Sequence, residues 1–389
     1  MYRRRSAGPV CAIIMLLLLA ACEGAGGPTP VPPTPSPPPA ALAGPRFTVE
    51  ATGCPWDLDA ARATATGLTL RCGYVAVPEH HGPAAGSIIR LAVLVGQHDP
   101  AHPTADALIY LEGGPGARAH ATDLGEFGTT GRDVIVFDQR GVGYSVPALN
   151  CPPLGNRDPL SAALDSQRDL TSCRDEVVQE GVHLDAYNIP EDAADVDSIR
   201  QALGYAQLDL YGVSYGTKVA LAVLRDFPQT VRSAILDSVL PMQASVVADL
   251  PANIARALNL TFAACAADAA CNAAYPNLQQ VYFGVVAQLD AHPVALQVNS
   301  TPFQLTGARL TSLLLALLIS GPEQLPRLVY SLKNGDYGLL GQYLSGEQAP
   351  GTDDAWVMTF SVACSDGHYG TPQEVATAAA PVAAALRGP

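Results

Sequence analysis

The sequence predicts an α/β architecture, a mostly parallel sheet with helices on both faces and a helical insertion. Three observations carry this. Ala107 to Leu111, Asp133 to Phe137 and Leu208 to Tyr211 are short continuous apolar runs of the kind found in strands covered on two faces. Between and after them lie helical stripes, Glu191 to Leu203 with apolar Ala194, Val196, Ile199 and Leu203, and Tyr215 to Phe227, followed by a further strand at Val231 to Leu236. Alternation of short strands and helices in one chain gives a parallel sheet wrapped by helices. From Pro241 to about Thr359 the pattern changes to Ala- and Leu-rich helical segments, read as a cap inserted into the sheet domain.

In chain order, residues 1–21 come first, with Arg3, Arg4 and Arg5 and then an uncharged apolar run from Val10 to Ala21. The run has the length of a signal-peptide core and falls short of the roughly 20 residues a membrane span needs. It ends Leu19-Ala20-Ala21-Cys22, which resembles the bacterial lipoprotein box, with Cys22 as the lipid attachment site and the mature N-terminus. Residues 22–46 hold nine prolines between Pro28 and Pro45, a composition that cannot build a core and favours an extended spacer. Leu68 to Pro78 and Ser87 to Val95, separated by His80-His81-Gly82-Pro83, read as a hairpin. The sheet domain is assigned to 47–241, the cap to 242–360, and the return to the sheet domain to 361–389. The longest later apolar run, Leu313 to Ile319, reads as a buried helix.

Composition narrows the function classes. With 22 Lys and Arg against 36 Asp and Glu, the chain carries a net charge of −14. An anionic chain releases no counterions from a phosphate backbone, so nucleic acid is set aside as a partner. Apolar residues make up 48% of 389 residues, enough for a sizeable core. No CxxC pair exists and no histidine has finger-like spacing, so no metal is expected. Sequence-local pairing of the cysteines gives Cys54–Cys72, Cys151–Cys173 and Cys265–Cys271, a pattern of an exported protein. Cys364 is left over, and an exposed thiol is expected there.

The chemistry concentrates in one segment. Gly212-Val-Ser214-Tyr215-Gly216 fits G-x-S-x-G between a strand and a helix. Such a turn pushes a serine hydroxyl into solvent, and Gly212 and Gly216 remove the Cβ atoms that would block it. Glu112-Gly113-Gly114-Pro115-Gly116 leaves the end of another buried strand. A glycine loop of this kind brings backbone N–H groups to a reacting carbonyl; Gly114 is the expected donor, because Pro115 has none, with the Tyr215 N–H as the second. No Gly-Lys-Ser/Thr follows, which argues against a phosphate loop. Asp138-Gln-Arg140-Gly-Val-Gly-Tyr-Ser145 closes a strand, with Asp138 and Arg140 expected to pair and support the glycine loop.

These three motifs, at 112–116, 138–145 and 212–217, resemble those of the prolyl iminopeptidase and tripeptidyl aminopeptidase group, with a likeness running from about Cys54 to Cys364. The resemblance implies an α/β-hydrolase fold and an aminopeptidase-like serine hydrolase acting on a small peptide through a Ser214 acyl-enzyme, without a cofactor. An esterase on the same scaffold and a non-catalytic lipoprotein are the alternatives. An aminopeptidase needs carboxylates for the substrate ammonium, and Asp249, Asp268, Glu323 and Asp353 are candidates in the cap. Glu112 is a further one, though a structural role at the strand end fits it better.

The triad order in such hydrolases is Ser, Asp, His. After Ser214 only His292 and His368 occur, and neither sits in a strand-loop context; Asp366 and His368 are too close to occupy separate loops, and Asp237 reads as a turn anchor. In the resembled group the cysteine at the end of the cap pairs near the C-terminus. The expectation is therefore a chain that stops short of its last core strands and turns over substrate weakly. For the N-terminus, mass spectrometry of the membrane fraction is expected to find a mature chain beginning at a lipidated Cys22; an unmodified Cys22 or another start would refute this.

Overall fold

The computed structural model describes residues 45–49, 54–57, 67–82, 86–99, 106–151, 167–298, 301–345 and 355–366, with residues 373 and 377. Cys22 and nearly all of the 22–46 tether, Asp353 and His368 lie outside these. The sheet strands are β1 (Phe47–Val49), β2 (Thr69–Pro78), β3 (Ile88–Gln97), β4 (Asp106–Leu111), β5 (Asp133–Phe137), β6 (Gln207–Val213) and β7 (Val231–Asp237). Among the described residues they form one sheet in the order β1-β2-β3-β5-β4-β6-β7. β1, β2, β3 and β5 pair antiparallel in succession, and β5, β4, β6 and β7 run parallel. The expected hairpin is β2–β3, and the expected parallel strands form the second half.

Residue alternation assigns the two faces. Leu91, Val93, Val95, Ile135 and Phe137 enter one cluster, and Ala92, Leu94, Val134 and Val136 the other. The first face is covered by α2 (Gln167–Gln179), α3 (Ile189–Leu203) and α4 (Tyr215–Asp226), and the second by the short α1 (Asp123–Phe127) with Trp56. Helix α3 starts where Asn188 accepts the Glu191 N–H at 3.0 Å, with Pro190 in its first turn, and stops at Gly204 in the left-handed region. At the sheet margin β7 is thinly covered, with Ile235 53% exposed.

The inserted segment builds its own core. Helices α5 (Val246–Ala267), α6 (Ala269–Ala274), α7 (Leu278–Ala291), α8 (Gly307–Ser320), α9 (Leu325–Lys333) and α10 (Gly338–Ser345) gather around Leu258, Tyr282, Leu305 and Leu325. The run at Leu313 to Ile319 is part of α8. A hairpin of β8 (Val294–Val298) and β9 (Thr301–Leu305) lies among them, a strand pair that the helical reading missed. Helix α11 (Trp356–Ser365) packs elsewhere: Ala355, Val357, Met358 and Val362 are buried in the sheet domain's cluster, so the return to that domain begins before residue 360.

Cys54–Cys72, Cys151–Cys173 and Cys265–Cys271 are disulfides. Cys364 is also disulfide-bonded, which corrects the expected exposed thiol. Pairing by sequence proximity cannot see such a bond, because the chain brings distant cysteines together only when folded.

Asp138 and Arg140 do not pair with each other. Both lie beyond the last residue of β5, where strand alternation no longer sets side-chain direction, and each finds a different element. Asp138 accepts the Ala119 N–H at 3.0 Å and the Tyr144 N–H at 2.8 Å. Arg140, fully buried, reaches α3, where its Nε and Nη2 donate to Asp195 at 2.8 and 2.7 Å. Its Nη1 donates to the Glu79 and Ala186 carbonyls at 2.5 and 2.6 Å. Burial alone would lower the guanidinium pKa, and the Asp195 carboxylate outweighs it, leaving Arg140 raised and charged. Removing one partner of a buried pair strands the other charge in a low dielectric. Arg140→Ala is therefore expected to lower unfolding free energy by about 3–5 kcal/mol, read from urea denaturation; a loss near that of a surface arginine would refute the assignment.

Candidate active site

Ser214 sits between β6 and α4 with φ 51° and ψ −116°. A non-glycine residue in this region is strained and persists only when its surroundings over-determine it. The surroundings here are backbone. A Cβ at Gly216 would collide with the Leu111 carbonyl of β4, and one at Gly212 would meet the Gly216 carbonyl at 2.5 Å. The Ser214 N–H donates to the Asp237 carbonyl at 3.0 Å. The Ser214 carbonyl accepts from the Thr217 N–H at 3.0 Å and from its Oγ1 at 2.6 Å. The turn is thereby held against β4, β7 and the first turn of α4 at once.

The glycine loop faces this serine. A Cβ on Gly113 would lie 3.2 Å from the Ser214 Cβ and 3.8 Å from its Oγ. The Gly113 N–H donates to Glu112 Oε1 at 2.7 Å and is spoken for. The Gly114 N–H donates to no group among the described residues, and Gly114 is exposed with φ +110°. Tyr215 is the first residue of α4, a position whose N–H has no acceptor within the helix. Tyr215 follows Ser214 directly in the chain, and Gly114 follows the glycine that touches it. Glu112 has the structural role that suits a strand end: burial raises its pKa, opposed by the Gly113 amide it accepts, and its carbonyl is held by Gln139 Nε2 at 2.8 Å.

Supports of this loop come from residues that the sequence reading passed over. Thr359 of α11 donates to the Pro115 carbonyl at 2.6 Å, and the Ala355 N–H donates to the Gly116 carbonyl at 2.9 Å. The helix returning from the cap therefore fastens the glycine loop. Asp138 holds its far end through Ala119. Beneath the elbow, the Tyr215 hydroxyl donates to Asp192 of α3 at 2.7 Å. One signal for α3 was available: positions 192, 195, 196 and 199 share a helix face, so Asp192 and Asp195 stand on the buried stripe of Val196 and Ile199.

Other candidates are dispersed. Asp237, at the end of β7, accepts from Tyr211 Oη at 3.0 Å and from Ser238 Oγ at 3.2 Å, tying the strand end to its neighbours. His292 is exposed at the C-terminal end of α7. Among the described residues no histidine hydrogen-bonds the Ser214 hydroxyl. Asp249 and Glu323 are exposed on the cap, whereas Asp268 is engaged as the N-cap of α6, accepting the Cys271 N–H at 2.7 Å.

The parallel sheet with a strained strand-to-helix serine turn beside a glycine loop is an α/β-hydrolase fold, and residues 106–268 match the α/β-hydrolase fold family. Among relatives, a tripeptidyl aminopeptidase of Streptomyces lividans is 33% identical over 189 residues, 44% of this chain and 35% of that protein. The serine protease Hip1 of Mycobacterium tuberculosis is 32% identical over 229 residues, 53% of this chain and 42% of that protein. The matches thus span less than half the length of each relative. A solved proline iminopeptidase-related protein of Thermus thermophilus is 20% identical, with a TM-score of 0.29 over 80% of this chain and 86% of that one.

Burial pushes the Asp138 carboxyl up to about 7, opposed by the two amides it accepts. Its ordinary value is 3.8, so between these values the native state holds a proton that the unfolded chain has released. The contribution of Asp138 to stability is then greatest below about pH 4, falls as pH rises towards 7, and levels off above it. A carboxyl carbon titrating near pH 7 by NMR, absent from Asp138→Asn, is the expected observation; an Asp138 resonance that titrates near pH 4 would contradict it.

Proposed function

We propose that this chain is an exported, lipid-anchored serine hydrolase, aminopeptidase-like, that cleaves N-terminal residues or short peptides through an acyl-enzyme on Ser214. The observation that carries the reading is the strained Ser214 turn facing the Gly113-Gly114 segment. A serine held at positive φ between strand and helix is what presentation of a nucleophile requires. Attack on the scissile carbonyl would form the Ser214 Oγ–carbon bond, and the carbonyl oxygen would take the negative charge. The Gly114 and Tyr215 N–H groups supply fixed dipoles for that charge. Collapse would break the C–N bond, the proton of the serine hydroxyl leaving on the amine, and water would then hydrolyse the acyl ester, releasing the carboxylic acid and regenerating the serine.

The names of the relatives support the peptidase reading over an ester substrate. Asp249 and Glu323, exposed on the cap, are the candidate carboxylates to bind a free N-terminal ammonium. Lipid attachment at Cys22 would hold the domain at the cell envelope, with the proline-rich segment as spacer. Where no imidazole assists the serine, catalysis falls to the residual level of oxyanion hole and binding, about 10³–10⁴ over water.

The test is reaction of the purified chain with a fluorophosphonate probe, beside turnover of matched peptide amides and esters with free or acetylated N-termini. The expected result is a single label on the peptide containing Ser214, and slow turnover that prefers the free-amine peptide amide, both lost in Ser214→Ala. Label on another serine, or turnover surviving Ser214→Ala, would overturn the reading. Preference for the ester would move the substrate class. If turnover is fast, His292→Ala and His368→Ala identify the base.

A further inference from the structure

Tyr215 and Asp192 are both almost wholly buried, and their 2.7 Å hydrogen bond joins the first residue of α4 to the first turn of α3. It is the one hydrogen bond of the Asp192 side chain among the described residues; Oδ1 has no hydrogen-bond partner and lies 3.9 Å from Arg140 Nε. Burying a carboxylate with one of its oxygens unsatisfied is costly. Helix α3 does not need it for packing, since an aliphatic residue would continue the stripe of Val196 and Ile199. The cost is local and so is the return, because Asp192 grips the residue that follows the strained Ser214.

We propose that Asp192 is a positioning residue of the nucleophile turn, holding Tyr215 by its hydroxyl and so fixing the peptide whose N–H forms one side of the oxyanion hole. This rests on the serine hydrolase reading above. The Ser214 conformation is anchored on its strand side by the Asp237 carbonyl and on its helix side by Thr217. Both anchors belong to β7 and α4 themselves. The Tyr215–Asp192 bond ties the turn to a different helix, whose own place is set by the Arg140–Asp195 pair. A lever of this kind resists rotation of the Tyr215 peptide, which the local anchors leave less constrained.

The charged and titratable groups that face Asp192 are Arg140 from the segment after β5, Asp195 from its own helix, Tyr215 from α4 and Asp366 from the end of α11. Burial pushes Asp192 up to about 8, opposed by Arg140 and the Tyr215 hydroxyl and reinforced by Asp195 and Asp366. A protonated carboxyl still accepts through its carbonyl oxygen, so the grip does not require the charge. An asparagine should therefore replace it, and a leucine should not.

The experiment compares the full chain with Tyr215→Phe, Asp192→Leu and Asp192→Asn in two measurements. Hydrogen exchange followed by mass spectrometry reads the peptide spanning the elbow against peptides from β4 and β5. The rate of Ser214 phosphonylation by a fluorophosphonate reads the site itself. Loss of one buried hydrogen bond is expected to speed elbow exchange and slow phosphonylation about tenfold in Tyr215→Phe and Asp192→Leu. In the same variants β4 and β5 should exchange as before, and Asp192→Asn should stay near wild type in both measurements. Equal acceleration across β4, β5 and the elbow would mark a merely structural carboxylate and overturn the proposal, as would an elbow indifferent to Tyr215→Phe. Tyr215→Phe keeps the ring, so it remains decisive if Asp192→Leu does not fold. Absence of any label in the wild-type chain would sink the hydrolase reading, while the exchange measurement would still decide whether Asp192 holds the turn.

Discussion

The close approach of two backbones governs this structure. Helix α4 begins directly against the end of β4, and the Gly216 Cα faces the Leu111 carbonyl with no room for a side chain. That approach forces the turn at Ser214 into its strained conformation and places the serine beside the loop that leaves β4. The parallel pairing of β4 with β6, from Asp106 opposite Gln207 to Leu111 opposite Gly212, brings the two ends into line. Everything else at the site is an adjustment of groups around this contact.

Two layers of support keep the contact in place. On one side α11 and Asp138 fasten the glycine loop at Pro115, Gly116 and Ala119. On the other, α3 is fixed by the buried Arg140–Asp195 pair and carries Asp192 to Tyr215. Three histidines join the outer part of this network, His81 to Asp195 at 2.8 Å, His183 to Glu79 at 2.7 Å, and His80 near Asp185 and Glu191 at 3.7 Å. The buried ions specify which helix sits where, since a guanidinium with five donors accepts few arrangements of acceptors. They add less to net stability, because their desolvation offsets much of the attraction.

The cap and the sheet domain divide the labour differently from the division read in the sequence. Apolar helices α5 to α10 form a separate core, while α11 crosses back and touches the glycine loop directly. The chain therefore leaves the sheet domain after β7 and returns to it at the glycine loop, so displacement of the returning helix would be felt at Pro115 and Gly116.

Local pattern was enough to read the parallel strands, the β2–β3 hairpin, the α3 and α4 helices, the serine turn and three disulfides. Each of these is a property of a few neighbouring residues: an apolar run, a stripe of period 3.6, a pair of glycines around a serine, two cysteines near each other. The partners of Asp138 and Arg140, the bonded state of Cys364, the clamp from Thr359 and the grip of Asp192 on Tyr215 were decided only by tertiary structure. In each case the chain brings together residues far apart in sequence, and a charge or hydroxyl in one segment carries no mark of which distant donor or acceptor will satisfy it. The sequence by itself determined that a serine would stand at a strained turn beside a glycine loop, because steric exclusion around Cβ is a local matter. The fold decided what holds that serine in place, because hydrogen bonds between buried groups depend on positions that exist only after the elements have packed.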